Sequence, residues 1–159
     1  MKRKLITLMM LVTSAVCFSQ VDSTYYYNAK KILDKYPKSR IKPEFLYDSA
    51  IKAYNDHCVV VPYELAIAQS IIETSLGNTG VGISKNNPFS INSKNGYINY
   101  ATIEEGISAY YSKLSINYLK NKTLEQLLKN FTNNIGKRYA SDKLYETRLR
   151  KRINELRKL

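Results

Sequence analysis

Apolar positions recur along most of this chain at helical spacing, and the clearest run lies between Pro62 and Leu76. Leu65, Ala68, Ile72 and Leu76 share one face, and Ile67 and Ile71 add a second apolar row. A helix patterned this way is covered by neighbours on most sides. Pro62 suits a first helical position and Gly77 a left-handed cap, so a central helix is predicted between them. Pro43 opens another that runs to about Asp56, with Phe45, Leu46, Ala50, Ile51 and Tyr54 inward. Thr102 and Glu105 have capping-box spacing ahead of Ile103, Ile107, Tyr110 or Tyr111, Leu114 and Tyr118. Thr123 and Gln126 repeat the signal before Leu124, Leu127, Leu128 and Phe131, and Gly136 is expected to end that helix. A last helix starts near Ser141 or Asp142, turning Leu149, Ile153 and Leu156 inward and Arg148, Arg150, Lys151, Arg152, Arg157 and Lys158 outward.

The period changes from 3.6 to about 2 only between Phe89 and Ala101. There S-I-N-S-K and Y-I-N-Y-A flank Asn95-Gly96, the favoured two-residue hairpin turn. Ahead of Pro43 the chain is polar and rich in tyrosine, and Ser23 or Thr24 caps a short helix ending before Pro37. No repeat or low-complexity linker interrupts the pattern. The chain therefore divides into residues 1–20, a tyrosine-rich segment 21–41, and one domain over 42–159. Its expected class is mostly α, a helical bundle around the central helix with a small β-hairpin lobe.

Residues 1–20 change the picture by assigning a compartment. Lys2-Arg3-Lys4 precedes an uncharged, mostly apolar run from Leu5 to Phe18, then Ser19-Gln20. That is a secretory signal, too short for a membrane span, so the protein is expected to be exported to the periplasm, cell envelope or medium. Val16 is a poor residue ahead of a lipidated cysteine, which argues against lipoprotein anchoring through Cys17. Loss of the leader leaves Cys58 as the only thiol, expected to be structural. With His57 the single histidine and no C-x-x-C or H-E-x-x-H spacing, no metal site and no cofactor is expected. The G-N-T-G-V-G loop after the central helix lacks the G-K-[S/T] of a phosphate cradle and reads instead as tight turns. A net charge of +12 favours polyanions in general. The basic last helix is read as a solvated face with affinity for acidic wall polymers or a membrane surface, and no specific nucleic-acid contact is expected because base-stacking motifs are missing.

Candidate chemistry centres on Glu73, the one carboxylate in the last turn of the central helix. Packed apolar surface and the negative end of the helix dipole both disfavour its ionised form, the condition a general acid requires. The surrounding residues carry a family resemblance. Glu73-Thr74-Ser75-Leu76-Gly77 resembles an E-S-x-x-G-like helix end, Asn86-Asn87-Pro88-Phe89-Ser90-Ile91-Asn92 an N-N-x-F-G-I-K-like segment, and Tyr139-Ala140-Ser141-Asp142 with Tyr145 a Y-A-T-D-x-x-Y. In that order they resemble the glucosaminidase domain of glycoside hydrolase family 73, in the lysozyme-like superfamily, over about Lys42 to Leu159. Ser90 stands where that pattern usually has glycine, and Asn92 where it often has lysine.

The resemblance implies a lysozyme-like α+β fold and an endo-β-N-acetylglucosaminidase acting on peptidoglycan glycan strands. It implies Glu73 as general acid and Tyr139 beside the reacting sugar. Asn87, Phe89, Ile91, Tyr97 and Tyr100 are assigned to the cleft as substrate-binding residues, Asn87 and Phe89 lining or bracing its floor. Glycosidases normally use a second carboxylate roughly 5–9.5 Å from the first. None lies between Val81 and Ile103, so Glu104 is retained as the weak option, Glu105 is read as a cap, and Asp142 as the cap of the last helix. Otherwise the substrate's own 2-acetamido group takes the second role. Two other readings remain open: a lytic transglycosylase, and a non-catalytic wall-binding module of the same fold.

Overall fold

A computed structural model describes residues 21–159; the leader and Cys17 lie outside the described residues. Along the chain come α1 (Ser23–Leu33), α2 (Pro43–His57), α3 (Tyr63–Thr74), a one-turn α4 (Val81–Ser84), β1 (Asn92–Ser93), β2 (Gly96–Tyr97), α5 (Ile103–Asn117), α6 (Leu124–Lys129) and α7 (Tyr145–Leu156). The architecture is mostly helical with a small antiparallel pair, consistent with the expected lysozyme-like α+β class.

The central helix is enclosed as its pattern requires: Leu65, Ala66, Ile67 and Ala68, consecutive in sequence, are all inaccessible to solvent. It packs against α7 and α1, while α2 packs between α1 and α5, and α6 supports α7. The 21–41 segment is thus integral to the core. Tyr25 is buried, its hydroxyl within 2.9 Å of the Val61 carbonyl and 2.7 Å of the Tyr111 hydroxyl.

Several boundaries differ from the sequence expectation for identifiable reasons. α3 stops at Thr74, and the left-handed turn begins at Ser75 (φ 49°), continuing through Leu76 (φ 60°) to Gly77 (φ 82°). Thr74 drives this: its hydroxyl donates to the Pro88 carbonyl at 2.7 Å and accepts the Gly77 N–H at 3.0 Å. α1 is capped by Asp22, whose carboxylate accepts the Thr24 N–H, rather than by Ser23 or Thr24. The hairpin pairs Asn92 with Tyr97 and Ser93 with Gly96, so Lys94-Asn95 form the turn instead of Asn95-Gly96. Ser93 fixes that register, accepting the Asn95 N–H at 3.1 Å. α6 ends at Lys129, well before Gly136, and α7 begins at Tyr145 rather than Ser141 or Asp142.

Other signals appear as read. Thr123 and Gln126 form a complete capping box. Thr102 accepts the Glu105 N–H, while the Glu105 carboxylate reaches one residue further back, to the Ala101 N–H at 3.0 Å. Both Tyr110 and Tyr111 are buried, Tyr110 stacking on Phe89 with ring centroids 3.6 Å apart. α5 comes so close to the loop before the hairpin that a Cβ on Gly106 would lie 2.2 Å from the Asn86 carbonyl oxygen.

Candidate active site

Three segments far apart in sequence meet at the end of α3. Thr74 ties the helix end to Pro88, and Arg40 ties the glycine loop together, donating to the carbonyls of Gly77 (3.2 Å) and Gly82 (2.6 Å) and to Asn86 Oδ1 (2.9 Å). The third segment, the loop before α7, is held by Glu146, which accepts the Phe131 N–H at 3.0 Å and pairs with Arg138 at 2.7 Å. Between them lies a groove of about 320 Å3 lined by Glu73 and Ile72 of α3, Ser90, Asn92 and Tyr97 of the hairpin region, and Tyr139 through Asp142 with Tyr145 and Arg148.

Glu73 is half-buried in the wall of this groove. Burial raises its pKa, opposed by hydrogen bonds from Tyr145 and Ser90 and by the positive charge of Arg148. Behind it runs a buried polar chain: the Tyr110 hydroxyl donates to Gln69 Oε1, and Gln69 Nε2 donates to the Tyr145 hydroxyl at 2.7 Å. Tyr139 faces the groove within an aromatic cluster with Tyr118, Phe131 and Tyr145, and Lys113 Nζ lies 5.5 Å from its ring centre. Its hydroxyl donates to the Phe89 carbonyl at 2.9 Å, so towards a ligand its oxygen acts as an acceptor.

The model of the glucosaminidase family, described as mannosyl-glycoprotein endo-beta-N-acetylglucosaminidase, matches residues 47–158. The chain belongs to the glucosaminidase family. A comparison with curated proteins found no match. The family's span covers every residue that lines the groove.

Within this glucosaminidase domain the structure brings Glu73, Tyr139 and Tyr97 to one groove and places the other expected site residues elsewhere. Asn87, Phe89 and Ile91 are enclosed, at 0%, 0% and 4% exposure, so they brace the groove from behind rather than touch a ligand. The Asn87 amide is fully used in that role, donating to the carbonyls of Ile91 (2.9 Å) and Ile98 (3.0 Å) and accepting the Ile91 N–H (2.8 Å). Tyr100 packs towards Gly106 of α5 and does not line the groove. Glu104 is exposed on the first turn of α5, also outside it. The second groove carboxylate is instead Asp142, which accepts the Leu144 N–H at 2.9 Å and forms an ion pair with Arg148.

Sequence reasoning missed Gln69 and Arg148 as parts of this site, and read Tyr145 and Ser90 only as motif positions. Gln69 had a signal: it stands four residues before Glu73, so the two share a helix face in an otherwise apolar surround. Arg148, read as part of an outward basic face, is turned to the groove. Most arginines of that face are paired with the chain's own acids: Arg150 with Glu125, Arg152 with Glu155, and Arg157 with Glu64.

Proposed function

We propose that this protein hydrolyses the glycan strands of peptidoglycan as an endo-β-N-acetylglucosaminidase, with Glu73 as the general acid. The observation that carries the reading is the placement of Glu73: a carboxyl half-buried in a groove wall, its pKa raised by that burial, in a glucosaminidase domain. A protonated Glu73 delivers its proton to the glycosidic oxygen as the bond to the anomeric carbon breaks and positive charge develops on the ring. The carbonyl oxygen of the 2-acetamido group attacks that carbon from the opposite face, and the ionised Glu73 then activates the water that opens the resulting oxazoline. This route suits a groove whose other carboxylate, Asp142, is already engaged by Arg148 and the Leu144 N–H. In this reading the Tyr139 oxygen, whose proton goes to the Phe89 carbonyl, accepts the N–H of the reacting acetamido group, and Tyr97, 47% exposed, offers a ring face to a neighbouring sugar.

Export through the leader would put the domain on its substrate. The basic C-terminal helix would add only weak attraction to acidic wall polymers, since its arginines are largely paired within the chain. Borohydride reduction of digested peptidoglycan, followed by mass spectrometry, tests the bond and the nucleophile. Hydrolysis after N-acetylglucosamine yields reduced N-acetylglucosamine ends. Ends bearing 1,6-anhydromuramic acid would assign a lytic transglycosylase, and binding to the wall without new ends would assign a non-catalytic module.

A further inference from the structure

We propose that Arg148 makes the α7 wall of the groove a subsite for a carboxylate, the acidic group that muramic acid and its peptide stem carry and a plain N-acetylglucosamine polymer lacks. The inference rests on the reading of the groove as a glycan site and names what distinguishes its substrate. Arg148 stands three residues after Tyr145 on α7, so the two share a helix face, and both line the groove. Among the described residues that line it, Arg148 is the one cation. Its neighbours on α7 pair with acids that lie outside the groove, Arg150 with Glu125 and Arg152 with Glu155.

The guanidinium is oriented by an acid that is itself tied down. Arg138 Nη2 donates to the Asp142 carbonyl at 3.2 Å, and the Leu144 N–H donates to one Asp142 carboxylate oxygen at 2.9 Å. The other carboxylate oxygen accepts from Arg148 Nη2. This single point of contact aims the guanidinium without consuming it. Among the described residues no second partner takes its N–H groups, which leaves a pair of donors on one edge, the fork that matches a carboxylate. Arg138 differs in kind: it meets both oxygens of Glu146 and the carbonyls of Ala140 and Asp142, as a structural strut does. The Arg148 side chain is 56% exposed, so a ligand can reach it while the ion pair stays intact. In peptidoglycan the acids that fit are the lactyl carboxylate of muramic acid, free where the stem peptide has been removed, and the carboxylates of the stem where it remains.

The test is equilibrium binding by isothermal titration calorimetry, with Glu73→Gln as the parent protein so that the ligands stay whole. Three ligands of matched length are compared: a neutral N-acetylglucosamine oligomer, glycan fragments stripped of their stems by an amidase, and fragments that keep their stems. At low salt at least one acid-bearing ligand should bind about 5- to 20-fold more tightly than the neutral oligomer, the low end of a charge-assisted contact because Arg148 is partly in water. Adding Arg148→Gln should abolish that gain and leave the affinity for the neutral oligomer unchanged. Loss of a merely structural ion pair would instead weaken all three alike. A gain confined to the stripped fragments assigns the lactyl carboxylate, and one confined to the stem-bearing fragments assigns the stem. No gain for either acid-bearing ligand, a gain that survives Arg148→Gln, or an equal loss on all three ligands would overturn the subsite. Binding is read without turnover. A wild-type protein that shows the Arg148-dependent gain and makes no new reducing ends would therefore refute hydrolysis and keep the subsite, and hydrolysis without the gain would do the reverse.

Discussion

Replacing Gly106 with alanine should destabilise the fold although it lies inside a helix. In an exposed helix interior the same change stabilises by about 1 kcal/mol, because alanine loses less backbone entropy on folding. Here the new Cβ would sit 2.2 Å from the Asn86 carbonyl oxygen, with Pro88 Cδ at 3.1 Å and Tyr100 Cδ2 at 3.2 Å. An ordinary contact needs about 1 Å more than the shortest of these. The loop cannot yield that distance freely. Asn86 Nδ2 donates to the carbonyls of Tyr100 (3.1 Å) and Ala101 (3.0 Å), the Tyr100 N–H donates to the Lys85 carbonyl (2.9 Å), and Arg40 holds Asn86 Oδ1. Overpacking of this kind costs about 1–3 kcal/mol, and each loop hydrogen bond lost adds about 1 kcal/mol. Set against the helix gain of about 1 kcal/mol, the net loss is about 1–3 kcal/mol. Urea denaturation followed by far-ultraviolet circular dichroism measures it. A variant as stable as wild type, or more so, would refute the close approach of α5 to the loop that carries Pro88, Phe89 and Ser90.

Two further outcomes follow from the site. Thr74→Val removes the hydroxyl that serves both Pro88 and Gly77, so it should cost about 1–3 kcal/mol by leaving buried backbone groups unpaired; an isoenergetic variant in the same denaturation assay would show that the helix end is held by other contacts. Burial raises the Glu73 pKa in the fold above its unfolded value of 4.5. The folded state therefore binds more protons than the unfolded chain between those two values, and stability falls as pH rises through the window. Glu73→Gln abolishes this titration, so its melting temperature relative to wild type should increase from about pH 4 to about pH 7. A difference that stays flat or shrinks over that range contradicts the burial argument.

Elements whose signals are local were legible in the sequence. The threonine caps of α5 and α6 and the apolar stripe of α7 depend on residues a few positions apart, and each stands where the pattern put it. Boundaries set by tertiary contact were not. Gly77 is the better left-handed residue, yet Ser75 turns first because Thr74 is bonded to Pro88, fourteen residues away. The hairpin register follows the Ser93 side chain rather than the propensity of Asn95-Gly96.

The site divides in the same way. Glu73 and Tyr139 were readable because local motifs mark them, and both line the groove. Asn87 and Phe89 belong to an equally visible motif, but their contribution is enclosed bracing, a distinction that burial decides and sequence does not. Arg148 was hidden because only the packed fold turns it from the basic face of α7 to the groove. Ser90 was visible only as a departure from glycine, and its positive φ explains why glycine suits that position.

The role of Glu73 is tested most directly by comparing turnover and wall retention of wild type and Glu73→Gln on purified peptidoglycan at a pH where wild type is fully active. Release of N-acetylglucosamine reducing ends should fall about 100- to 10,000-fold in the variant, with the amount of protein bound to the wall unchanged. Equal rates of release from the two proteins would contradict the account.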